Sequence, residues 1–157
     1  MRTIRRLTND RDLCDQFAKV PHPDTGTSIF QTYRELACFA ALLGFEQNRR
    51  RDLVGATEVF VDGRIFAGSD QALDIAYLLA LATTRDQDIL REDEIHQEQV
   101  AVLFEEYAAG GLQILGEWLR AEPSDPHGDR ALFTALRKGC YLDDQVAAET
   151  ALDRVVF

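Results

Sequence analysis

The sequence predicts a mainly α fold, a compact single-domain helical bundle of about five to six helices carrying one small β-hairpin. Three observations predict it. Apolar residues recur at helical spacing through residues 32–43, 71–83 and from Arg91 to Leu119. One short β-prone run, Thr57–Phe66, is interrupted by Asp62-Gly63, the strongest local hairpin signal. Two turn-rich breaks, Pro21–Gly26 and Pro123–Gly128, punctuate the helices. At 157 residues the chain is long enough to bury a core without metal or disulfide.

Taken in order, residues 1–10 read as a mobile basic arm, with Arg2, Arg5 and Arg6 in it, ahead of a single helical domain over 11–157. A first helix, about 12–18, carries Leu13 and Phe17 on its apolar line. The second, about 32–43, is apolar around most of its circumference through Leu36, Ala37, Phe39, Ala40, Leu42 and Leu43. Neighbours must therefore surround it. Gly44 reads as its left-handed stop, and Arg49-Arg50-Arg51 follows as an exposed basic knot within reach of a partner. The hairpin falls near 57–67, packed on helices or joined by a third strand from Arg154–Phe157.

Ser69 or Asp70 caps a third helix, about 71–83. The long fourth helix presents Val100, Leu103, Phe104, Tyr107, Ala108, Leu115, Trp118 and Leu119 to the core. Gly110-Gly111 inside it marks either a bend or a close-pressed neighbouring backbone. A fifth helix, about 129–138, stops at Gly139. The tail from Leu142 has helical spacing at first and a strand-like finish.

Charge bounds the function. Twenty-seven acids against 17 bases give a net charge of -10, which argues against a protein that coats DNA with its whole surface. The bases are nearly all arginine, whose planar fork suits carboxylate and phosphate. Cys14, Cys38 and Cys140 have no C-x-x-C pairing, so reduced buried thiols in a cytoplasmic protein are the expectation. No apolar run is long enough to span a bilayer.

No arrangement spells out a reaction, and no cofactor or metal is expected. The chain lacks G-x-S-x-G, a P-loop lysine and G-x-G-x-x-G. Glu92 or Asp93 shares a helix face with His96, yet two ligands fall short of a coordination set. Glu105 and Glu106 sit among core residues, so at least one carboxylate points inward and needs a cation or backbone donors. Arg34 or another arginine would serve. A structural ion pair outweighs a catalytic carboxylate there. The arginine clusters Arg2/Arg5/Arg6 and Arg49–Arg51 are candidates for phosphate or protein contact. Against that stands pairing of the knot with the acidic fourth helix.

Two blocks carry a family resemblance. One comprises Phe30-Gln31-Thr32-Tyr33-Arg34-Glu35 with Phe39-Ala40-Ala41, Leu43-Gly44-Phe45 and Arg49-Arg50; the other is Glu105-Glu106-Tyr107-Ala108-Ala109-Gly110-Gly111-Leu112. In them the chain resembles DNA phosphorothioation-associated protein 4, an accessory protein of Dnd-type DNA sulfur-modification systems. Phe45 stands where the family pattern has tyrosine and Ala109 where it has asparagine, the second change removing a polar contact. The resemblance marks Phe30, Tyr33, Arg34, Gly44, Glu105, Glu106, Tyr107 and Gly111 as motif residues and implies a setting of bacterial DNA defence, with no assigned reaction.

The leading reading is thus an accessory or scaffold protein of a phosphorothioation-linked modification or restriction system, acting by contact with the system's other proteins. A DNA-binding module using the arginine clusters is the alternative, and a small carboxylate-dependent hydrolase or nuclease the third. Self-association remains open.

Overall fold

A computed structural model of the chain describes residues 1–142. The fold is mainly α, with a two-stranded antiparallel sheet at one side. Its elements are β1 (Ile4–Leu7), α1 (Arg11–Ala18), α2 (Tyr33–Glu46), β2 (Thr57–Val61), α3 (Gly63–Ala67), α4 (Asp70–Thr84), α5 (Glu94–Ala121) and α6 (Asp129–Lys138). The tail expected to be helical and then strand-like, and the third strand expected from it, lie outside the described residues. No described helix is long and apolar enough to cross a membrane.

The axis of the molecule is α5, 28 residues and about 42 Å long at the rise of an α-helix. Asp93 caps its start by accepting the His96 N–H at 3.0 Å. α2 lies along its middle, α4 beside both, and the sheet and α6 pack towards its two ends. The core between them includes Phe17, Leu36, Phe66, Phe104, Leu112 and Leu115, all buried, with Phe66 and Phe104 edge to face at 5.0 Å between ring centroids.

The closest approach in the fold is between α2 and α5. α2 faces α5 with small residues: Ala37, Ala40, Ala41 and Gly44 are all buried. α5 answers with Ala108, Gly110 and Gly111. A β-carbon built on Gly44 would collide with the Tyr107 carbonyl, one on Gly111 with the Ala40 carbonyl, and one on Gly110 with the Arg49 carbonyl. Of the two readings of Gly110-Gly111, the close-pressed backbone is the one present. The expected stop at Gly44 is absent: α2 runs on to Glu46, and Asn48 takes the left-handed conformation at φ 50°. Gly44 serves proximity rather than termination.

Two further expectations are corrected. Asp62-Gly63 is not a hairpin turn. The Asp62 carboxylate accepts the Arg64 N–H at 2.9 Å and caps α3, while Gly63 lies flat against the backbone of residues 1–3. β2 pairs instead with β1, about fifty residues earlier, through Ile4↔Val61, Arg5↔Val59, Arg6↔Glu58 and Leu7↔Thr57. Residues 4–7 of the expected mobile arm are therefore a strand, fixed because Ile4 and Leu7 enter the core and Arg6 is itself buried.

The crossing predicts opposite effects for two glycines of one helix. Gly111→Ala should destabilise by about 3 kcal/mol, lowering Tm by roughly 6–12 °C. A methyl at Gly116 meets only Arg120 Nη1 and Leu13 Cδ2, at 3.4 and 3.9 Å, so Gly116→Ala should be neutral or gain up to about 1 kcal/mol. Thermal melts of both variants check the contrast.

Candidate functional site

The two family blocks face each other across the α2–α5 crossing, and the charged residues around it are tied together. Glu105 is buried at the centre. Its carboxylate accepts from Arg2 Nη1 at 2.5 Å, Arg2 Nη2 at 2.9 Å and the Arg5 backbone N–H at 2.6 Å. Arg2 also donates Nε to Glu98 at 2.6 Å, two turns earlier on α5. The inward carboxylate expected from the sequence is present with a cation and a backbone donor, but the cation comes from the chain's start. Arg34 is elsewhere, donating to the Ile65 carbonyl at 2.8 Å.

Glu106, the next residue, points to the other side and holds the Arg50 guanidinium, which also lies 5.4 Å from the Tyr107 ring centre. Arg49 reaches Glu117 at 2.7 Å, and Arg51 reaches Asp10 at 3.5 Å while its N–H donates to the Glu106 carbonyl at 3.0 Å. Every arginine of the knot is thus engaged by a carboxylate, two of them on α5. All three side chains keep a third or more of their surface exposed. The knot staples the chain after α2 onto the acidic helix.

The other basic cluster is committed in the same way. Arg6 is buried, donates Nε to Glu58 at 2.9 Å, and lies with its guanidinium 4.7 Å from the Tyr33 ring centre and 5.2 Å from that of Phe60. Arg11 joins it on Glu58. The Arg11 hydrogen bond, with Arg6 behind it, outweighs desolvation and holds the Glu58 carboxyl down to about 2. Arg5 donates to the Thr57 hydroxyl and carbonyl at 2.9 and 3.0 Å. Tyr33 donates its hydroxyl to Asp15. Phe30 stacks between Phe17 and Phe39, at 6.1 and 5.2 Å.

His96 and Asp93 contact each other at 2.7 Å as a cap and its neighbour. Among the described residues no group of three or more His, Cys, Asp or Glu side chains is gathered for a metal. Cys14 is buried and its thiol is pushed up to about 12 by desolvation, Arg6 opposing. Cys38 is half-buried and desolvation pushes it up to about 11. Cys140 is exposed, against the expectation of burial.

One feature was invisible from spacing: the described residues do not surround α2. Its outer face, with Leu42 45% and Phe45 36% exposed, forms one wall of a groove, opposite Leu136 of α6 and Tyr141 and Leu142 beyond it. The cavity there is about 550 Å³. It continues past Phe39 and Leu42 into a second hollow of about 400 Å³ between Phe30, Cys38 and Ile75. The first hollow is walled mainly by apolar side chains, which suits a side-chain-bearing ligand better than bond-breaking chemistry, whereas Arg34, Glu35, Ser69 and Gln71 also line the second.

The model of the family "DNA sulphur modification system-associated protein 4" matches residues 4–139. The chain belongs to that family. No curated protein and no solved structure matches it. The matched span takes in β1, the crossing and all of α6, so the residues from Arg5 to Lys138 named above fall within it.

The Glu105 clamp predicts coupled losses. Glu105→Ala should cost about 2 kcal/mol, and Arg2→Ala about 3, since the latter strands a buried carboxylate. The double variant should fall well short of their sum, as denaturant melts will measure. Glu58 adds a pH signature. With its folded pKa held below the unfolded value of 4.5, its contribution is complete above pH 4.5 and lost as pH falls towards 2. Between those values Tm of the parent should drop more steeply than Tm of Glu58→Gln.

Proposed function

We propose that this chain is an accessory subunit of a DNA sulphur modification system, working by contact with the system's other proteins in a cytoplasmic modification, restriction and anti-phage setting. Family membership across residues 4–139 carries the reading. The open apolar face of α2 supports the mode of action, because contiguous exposed apolar surface favours protein partners. The arginine clusters favour this reading over phosphate binding. Arg2, Arg6, Arg49, Arg50 and Arg51 each have a carboxylate within 4.0 Å, and releasing them to DNA would strand acids such as Glu105.

The test is reconstitution. The purified chain, mixed with each of the other proteins of its system, should co-elute with at least one on size exclusion at micromolar concentration, with little change between 50 and 200 mM salt. Elution alone in every mixture, or tight DNA binding that falls steeply with salt, would contradict the reading.

A further inference from the structure

We infer that the hollow between α2 and the start of α4 is a binding site for a monovalent carboxylate carried on a compact apolar group, with Arg34 as the anion anchor. Such a site goes beyond the accessory reading and does not depend on it. The hollow is about 400 Å³, towards the lower end of the roughly 300–1,000 Å³ that small-ligand sites occupy. Phe30, Phe39 and Ile75 give it apolar walls, and Arg34, Ser69 and Gln71 bring polar groups to the same space. Ser69 accepts the Ala72 N–H at 3.3 Å as the cap of α4 and keeps its own proton to donate. A few polar groups converging on an apolar hollow are what orient a small ligand.

Charge selects the ligand. Arg2, Arg6, Arg11, Arg49, Arg50 and Arg51 each hold a carboxylate, whereas among the described residues Arg34 holds none. Arg34 Nη1 donates to the Ile65 carbonyl at 2.8 Å, which steadies the guanidinium and leaves its other donors for a ligand. Glu35 also lines the hollow, but its carboxylate is turned back onto the Gln31 N–H at 2.9 Å, in the box that caps α2. The Cys38 thiol, in the same hollow, registers the balance. Burial pushes it up, and of the two charges Arg34 pulls it down more strongly than Glu35 pushes it up. A single steadied arginine suits the one charge of a carboxylate better than the nearly two of a phosphate monoester.

The experiment is an NMR titration of the isotopically labelled full chain, read at the Arg34 Nε–H and Gln71 side-chain amide signals. Phenylpropionate should bind saturably with Kd of about 1 mM or tighter at low salt, moving both signals. Phenylpropionamide, the same group without the charge, should bind about tenfold more weakly. Arg34→Gln should weaken the acid about five- to tenfold. Gln71→Glu, at an exposed residue in the first turn of α4, should weaken it about fivefold by adding a like charge, and its site suits an acid in the folded chain. An acetylated tripeptide ending in phenylalanine, as free acid and as amide, separates the two sources of such a carboxylate. Tighter binding of the peptide acid than of phenylpropionate supports a site for a chain end, and equal or weaker binding supports one for a free small acid.

Acid and amide binding alike overturns the site, as does an Arg34 signal that neither acid moves at about ten times the expected Kd. Affinity for phenylpropionate held within twofold in both Arg34→Gln and Gln71→Glu overturns it too. Phenyl phosphate binding more tightly than phenylpropionate overturns the monovalent assignment. Each of these results leaves the accessory reading standing, since that reading is tested by co-elution with the system's proteins.

Discussion

The contact between the α2 and α5 backbones, made where Gly44, Gly110 and Gly111 carry no side chain, sets the positions of everything around it. Interaxial distance between packed helices depends on the side chains at the crossing, and here that layer is alanine and glycine. The consequence for α2 is a division of labour around its circumference. Its small residues take the buried seam, Leu36 and Leu43 fill the core, Phe39 packs at its edge against Phe30, and Leu42 and Phe45 are left for the outward side. The crossing leaves one wall of the groove to α2, and Leu136 of α6 with Tyr141 and Leu142 supplies the other.

The same proximity organises the charges. Once the α2 end is pressed onto α5, the residues after it pass over Glu106 and Glu117, and Arg50 and Arg49 neutralise them. At the other side of α5 the residues just ahead of β1 bring Arg2 to Glu98 and Glu105. An acidic helix lies at the centre of an acidic protein because arginines from two distant segments converge on it. Partly exposed pairs such as Arg49–Glu117 add little stability individually. Glu105 differs, since its burial makes the Arg2 fork and the Arg5 N–H necessary.

Helices were legible because their signals are local: the spacing of apolar residues, the Ser69 cap, the prolines around 21–23 and 123–126. Gly44 was misread for a physical reason, since glycine at a helix end and glycine at a helix crossing look alike in one dimension. Asp62-Gly63 suits a turn and a helix cap equally, and only the distant strand Ile4–Leu7 decided between them. The need for a partner at Glu105 was readable from its apolar neighbours, while the identity of that partner, about a hundred residues away, was not. The groove was hidden because an all-round apolar pattern states that a helix is unsuited to water, without stating which face the described residues leave uncovered.

Among the described residues α2 has one sealed face and one open face, and a soluble paramagnetic agent in an NMR experiment separates them residue by residue. In the free protein, the Leu42 methyl and Phe45 ring signals should be strongly attenuated, while the Leu36 methyls and the Ala40 and Gly111 amides stay protected. Equal protection of Leu42 and Leu36 would mean that the outer face is already covered, and attenuation at Gly111 would mean that the two backbones do not meet.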